Sequence, residues 1–173
     1  MIYTYQELLK IYGNQRQVAN AVKAGKYFLI SKGIYSDEFH QVTPEYIAKK
    51  YPSAIFTGQT AFYHYGYTTD AGNTYDVVSK LGSTRIQHPL IHQTFQVPSI
   101  FEIGKTQINC MNFYDKERML IELIRGKSSF SYDYYKEVLD GFRKDIPHID
   151  LYKVSQYVKY FKNGNNLLKK IRE

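Results

Sequence analysis

The sequence predicts an α+β fold, on three observations. Two short amphipathic helical patterns meet at a Gly-Asn corner and run straight into a strand–turn–strand pattern. The middle of the chain, from about Tyr75 to Phe113, alternates in short strand-like stretches between turn residues. The last third returns to helical spacing. With 173 residues, one domain or a small module followed by a larger one is the expected range. A chain of this size buries about 70% of its unfolded surface, enough for a core without staples.

The first helix starts at Thr4. Thr4 and Glu7 have capping-box spacing, in which the hydroxyl accepts from an amide while the carboxylate reaches back. Leu8, Leu9 and Ile11 form its apolar stripe, and Gly13 suits the left-handed position past a helix end. Asn14 caps a second helix with Val18, Ala21 and Val22 turned inward, closed by Gly25. Tyr27–Ile30 and Ile34–Ser36 then read as a hairpin around Ser31-Lys32-Gly33. Helix, turn, helix and tight hairpin is the order of a winged helix-turn-helix, placed at 1–40. Tyr27 and Tyr35 are expected as packing residues of the wing.

Asp37–Gln41 reads as a polar linker into a second domain, 41–173. There Thr43-Pro44-Glu45 opens a helix that stops at Pro52. Thr57 or Thr60 opens another, ended by Gly66. The strand stretches are Tyr75–Val78, Gln93–Val97, Phe101–Ile103 and Gln107–Phe113. Asp115 caps an amphipathic helix, Lys116–Arg125, with Met119, Leu120, Leu123 and Ile124 on one face. Helices at Tyr132–Arg143, Asp150–Phe161 and Asn163–Ile171 complete a mixed α/β domain with a small sheet and a helical C-terminal end.

Charge narrows the function. Lys+Arg 23 against Asp+Glu 16 gives a formal +7, which favours polyanionic partners. The surplus sits at the ends. Residues 1–36 carry Lys10, Arg16, Lys23, Lys26 and Lys32 against Glu7 alone. The tail carries Lys159, Lys162, Lys169, Lys170 and Arg172 against Glu173. On the second helix, the stripe opposite Val18 and Ala21 is Arg16, Gln17, Asn20 and Lys23. Arg, Gln and Asn make bidentate bonds to base edges, and Lys serves phosphates. A solvated helix face would carry the same list; what favours DNA is the helix-turn-helix setting and the hairpin with Lys32 at wing distance.

Catalytic and metal patterns are sparse. His88 and His92 are four apart, but Pro89 lies between them and no acid is fixed nearby. Cys110 stands in an apolar strand-like stretch and is expected to be a buried, inert thiol; as the single cysteine it excludes an internal disulfide. His64 reads as a helix-surface or packing residue, and His40 and His148 lie in polar turns. Lys80–Arg85 is a basic turn without the glycines of a phosphate loop. Asp76, Glu102 and Lys105 resemble the acid–acid–lysine set of metal-dependent nucleases, yet Glu102 and Lys105 are one residue too far apart for strand period two. The expectation is a protein that is not an enzyme, with no catalytic residues, no metal site and no cofactor. With 18 Tyr, 10 Phe and no Trp, tyrosine carries much of the aromatic packing and could also furnish a protein interface. No apolar run approaches the ~18 residues of a membrane span. With no signal peptide at Met1, a cytoplasmic protein without membrane contact is expected.

Six stretches together resemble a known family: YQELL (5–9), AVKAGK (21–26) with KGIY (32–35), AIFTGQTAFYHYG (54–66), KERMLIELIR (116–125) and DYYKEVL (133–139). The chain is similar to the AbiEi family of antitoxins, transcriptional regulators of bacterial abortive-infection (phage-defence) toxin–antitoxin operons. The resemblance implies an N-terminal winged helix that binds inverted repeats in double-stranded promoter DNA and represses its own operon. It also implies a C-terminal antitoxin domain that counteracts a co-encoded nucleotidyltransferase-like toxin. Carried onto this sequence, the DNA-binding positions are Arg16, Gln17, Asn20 and Lys23, with Lys26 and Lys32 on the backbone. Two alternatives stay open: a protein-interaction factor without DNA readout, and a metal-dependent nuclease.

Overall fold

The computed structural model describes residues 1–38 and 42–172. Of the linker expected at 37–41, residues 39–41, His40 among them, lie outside the described residues, as does Glu173 of the basic tail. The fold is mixed α and β, with two sheets, and the chain divides between Ser53 and Ala54 into two compact units.

The first unit opens with strand β1 (Ile2–Thr4), which the sequence pattern does not announce. Helix α1 (Tyr5–Tyr12) follows directly, its capping box formed in both directions between Thr4 and Glu7. Gly13, at φ +80°, takes the left-handed position that ends α1 and donates its N–H to Leu9. Asn14 then caps α2 (Gln15–Lys23), its side-chain oxygen accepting from the Gln17 N–H. The hairpin is β2 (Phe28–Ser31) and β3 (Ile34–Ser36), and β3 lies between β2 and β1 in an antiparallel three-stranded sheet.

This unit extends past the expected boundary at 40. Helix α3 (Pro44–Lys50) packs on β1 and β3 and belongs to it. The reason is ionic as well as apolar. Ile47 is fully buried, Glu45 approaches the Ile2 N–H at 3.4 Å, and Lys49 reaches Glu7 at 2.8 Å. Glu7 thus ties the α1 cap to α3. Burial pushes its carboxyl up, but hydrogen bonds from Lys49 and Thr4 outweigh that and hold it below its ordinary value.

The second unit is built on a five-stranded mixed sheet. Its strands are β4 (Ile55–Phe56), β5 (Tyr75–Lys80), β6 (Ile91–Gln96), β7 (Lys105–Ile108) and β8 (Met111–Tyr114), in the order β6-β5-β4-β8-β7. Two-residue β4 is central, antiparallel to β5 and parallel to β8. Helix α4 (Gly58–His64) follows it with Thr57 at its N-cap position, one of the two starts expected, but the Thr57 hydroxyl does not cap it. Asp76 of β5 does so instead: its Oδ2 accepts from the Gln59 N–H at 2.8 Å, while Thr60 Oγ1 accepts from the Asp76 N–H at 2.8 Å. A Cβ on Gly58 would stand 2.5 Å from that carboxylate, so the approach requires glycine.

Two strand expectations are corrected here. The stretch expected as strand Phe101–Ile103 is preceded and partly occupied by a short helix, α5 (Pro98–Phe101), which Pro98 starts at its first turn. The stretch 107–113 is not one strand but the β7–β8 hairpin, turned at Asn109 and Cys110, both at positive φ (49° and 64°). Cys110 is therefore exposed at a turn and not buried in a strand.

Helix α6 (Lys116–Arg125) is the central helix of this unit, capped by Asp115. It is buried on more than one face: Glu117 and Arg118 are buried along with Met119, Leu120, Ile121 and Leu123. Helices α7 (Tyr132–Asp145), α8 (Leu151–Tyr157) and α9 (Gly164–Arg172) complete the unit, α8 giving way to a 3-10 turn at Val158 where a continuous helix was expected. Lys153 of α8 reaches both Asp115 (2.9 Å) and Glu117 (3.2 Å), tying α8 to the start of α6.

Candidate nucleic-acid interface

Helix α2 is amphipathic in a simple way. Val18 and Ala21 are buried, and Arg16, Gln17, Asn20 and Lys23 are all exposed. Arg16, Asn20 and Lys23 are spaced by four and three residues, which puts them on one side of the helix, with Gln17 a turn before Asn20. None of the four side chains has a hydrogen-bond or ion-pair partner among the described residues. The same holds for Lys26, which follows α2, and for Lys32 at the hairpin turn, both exposed.

What holds this surface in place is aromatic. Tyr27 packs edge-on against Tyr3 (centroids 5.3 Å apart) and Tyr12 (6.1 Å), so the start of the hairpin is wedged against β1 and α1. The Tyr12 hydrogen bond and burial push the Tyr27 hydroxyl up to about 12. Tyr35 of β3 lies against Tyr5 at 6.4 Å. Both tyrosines are packing residues rather than free stacking platforms.

One cation near the hairpin was missed from the sequence. Lys50, at the end of α3, donates from Nζ to the Lys32 carbonyl at 3.3 Å, which brings a second lysine to the turn. The signal is the Lys49-Lys50 pair at that helix end, which lies in the sequence beyond the expected boundary of the winged helix.

In the second unit the candidate chemical groups are engaged elsewhere. Asp76 caps α4, and its Oδ1 lies 2.8 Å from His92 Nδ1. Glu102 pairs with Lys105 at 3.3 Å within one turn. His88 accepts the Leu90 N–H through Nδ1. No group of three or more His, Cys, Asp and Glu that could hold a metal ion occurs among the described residues. His64 stacks on Phe113 at 4.1 Å, and burial lowers its pKa, as suits a packing residue. An open cleft of about 700 Å³ is lined by Tyr67, Lys116, Lys144, Asp145 and His148 among others. Its central carboxylate, Asp145, is already matched by Lys116 Nζ and Tyr67 Oη, each at 2.6 Å. Among the described residues, no helix is long and apolar enough to cross a membrane.

No family model matches the chain, and no curated protein matches it. Among solved structures, the RV2827C protein from Mycobacterium tuberculosis is similar in fold, with a TM-score of 0.60. The match spans 100% of this chain and 73% of that one, at 10% sequence identity. The likeness concerns the fold alone.

Proposed function

We propose that residues 1–53 form a winged helix that reads duplex DNA, with α2 in the major groove and the β2–β3 hairpin as the wing. The observation that carries this reading is the exposed face of α2: Arg16, Gln17, Asn20 and Lys23, free of internal partners among the described residues, opposite a buried apolar stripe. Arg16, Gln17 and Asn20 read base edges; Lys23, Lys26, Lys32 and the added Lys50 neutralise phosphates. In this reading α3 is the module's third helix, supplied from after the wing. Together with the resemblance to AbiEi antitoxins, this makes the chain a non-enzymatic autorepressor of an abortive-infection operon. Its second unit counteracts a nucleotidyltransferase-like toxin in the cytoplasm.

The test is a binding titration on the DNA upstream of the chain's own gene, repeated across salt concentrations. Four phosphate contacts give a slope of log affinity against log salt near −3.6, at about −0.9 per contact. Lys26→Ala or Lys32→Ala flattens the slope by about 0.9, whereas Arg16→Ala or Asn20→Ala reduces discrimination between promoter and random duplex. Absence of any shift at low salt overturns the reading. Exposed Tyr132 and Tyr152 favour a second one, a protein-interaction factor, which capture of a nuclease-resistant partner without a promoter shift supports.

A further inference from the structure

Strand β6 is an edge of the five-stranded sheet, and its outward side is chemically unusual for this chain. Residues 86–101 contain no Asp, Glu, Lys or Arg, although the whole chain is 23% charged, and nine of these sixteen residues are exposed. Natural edges are ordinarily blunted by a lysine, a proline or a bulge. Ile91–Gln96 carries none of these, and its register with β5 is unbroken over six residues. Exposed apolar side chains gather beside it: Leu81 (58%), Leu90 (39%), Phe95 (36%) and Val97 (44%).

The hydrogen-bond parity tells which main-chain groups are unused. Tyr75 donates to Leu90 and Leu81 donates to Gln96, so in this parallel ladder the even residues of β6 bond to β5. The N–H and C=O groups of Gln93 and Phe95 therefore point away from the sheet. No described residue takes them.

We propose that this edge is a self-association surface, on which β6 of a second copy of the chain pairs antiparallel across a two-fold axis at Thr94. The register follows from the parity. Centring on Thr94 sets Gln93 opposite Phe95 of the second copy in hydrogen-bonded pairs, which uses all the outward N–H and C=O groups of both residues. It sets Thr94 opposite Thr94 in a non-hydrogen-bonded pair, where side chains approach closest and Thr–Thr contacts are favourable. The occupant follows from matching the edge to what it can pair with. An edge without charge is complementary to a strand that also carries none, and β6 itself is such a strand. A second copy therefore meets it here without the like-charge contacts that a net +7 brings to most other approaches. The pairing joins two five-stranded sheets into one. It does not depend on DNA binding, since the mass is measured without DNA.

Sedimentation velocity on the full chain tests it. The expected result is a concentration-dependent dimer of twice the 20.3 kDa chain mass. Thr94→Lys places two lysines directly opposite each other and weakens the dimer by about fivefold or more, with an unchanged circular dichroism spectrum. A second variant, Thr94→Cys in a Cys110→Ser background, forms a disulfide-linked dimer under copper–phenanthroline oxidation, while Gln87→Cys in the same background does not. Three results overturn the proposal: a monomer at high micromolar concentration, Thr94→Lys dimerising as tightly as the parent chain, or equal cross-linking of the two cysteine variants. A monomer that binds an extended peptide at β6 overturns it in favour of a partner's strand.

Discussion

Replacing Arg118 with alanine removes a fully buried, many-partnered side chain of the second unit, and the structure allows the loss to be itemised. The guanidinium is fully buried. It donates to the carbonyls of Ile100 (3.0 Å) and Ile103 (3.3 Å) and, through Nε, to Glu122 (2.9 Å). It also stacks on the rings of Tyr114 and Phe161, each 4.4 Å from the guanidinium carbon. Its Nη2 lies 2.8 Å from Glu122 without the alignment of a hydrogen bond, so that contact counts as charge only. Only the partly buried Ile103 carbonyl is orphaned, at about 1 kcal/mol, because Ile100 still accepts from the Ile103 N–H at 3.3 Å; two desolvated ring contacts cost about 1 kcal/mol each. Glu122 keeps Arg125 at 3.2 Å, which limits the stranded charge. The total is about 3 kcal/mol, at the low end of the range of about 3–5 for a broken buried pair. With a urea m-value of about 2 kcal/mol per molar, the midpoint falls by about 1.5 M in a circular dichroism titration. The shift persists at high salt, because a buried pair is poorly screened. A loss below about 1 kcal/mol refutes the reasoning.

Three further outcomes are expected. Cys110→Gly stabilises the β7–β8 hairpin by about 0.5–1 kcal/mol, because an Asn-Gly pair adopts positive φ at both turn positions without the strain a side chain adds at φ 64°; thermal unfolding reads it, and a destabilised variant argues against it. Gly13→Ala costs about 1 kcal/mol or more in the same assay, through backbone strain alone, since nothing lies within 4 Å of the added Cβ. Burial pushes the Asp145 carboxyl up, but hydrogen bonds from Lys116 and Tyr67 outweigh it and hold it below its ordinary value. Its stabilising contribution is therefore present above about pH 4 and lost as pH falls through the depressed value, so Asp145→Asn flattens the acid limb of stability against pH; an unchanged limb contradicts the assignment.

Local signals explain what was legible beforehand. The Thr4–Glu7 capping box, the Gly13-Asn14 corner, the hairpin at Ser31–Gly33 and the Asp115 cap are all written within a few residues, and each appears in the structure. The exposed face of α2 follows from the same periodicity. Elements that depend on distant partners were not legible. Strands β1 and β4 hold three and two residues, too few for a pattern, and exist because β3, β5 and β8 offer them a ladder. Arg118 looks like a surface residue of an amphipathic helix; only the carbonyls of Ile100 and Ile103 and the rings of Tyr114 and Phe161 make its burial tolerable. Cys110 was misread because an apolar alternation across 107–113 hides a turn that has no glycine.

By itself the sequence determined the caps at Thr4, Asn14 and Asp115, the turns at Gly13-Asn14 and Ser31–Gly33 and the exposed stripe from Arg16 to Lys23, because each rests on backbone geometry and spacing within a few residues. Tertiary structure alone decided that α3 joins the first unit, that Lys50 stands by the wing turn and that Asp76 caps a helix rather than standing free. Those outcomes rest on contacts between residues 16 to 42 positions apart, such as Thr60 with Asp76, Lys32 with Lys50 and Glu7 with Lys49. Their physical cause is burial and charge pairing that no local pattern encodes.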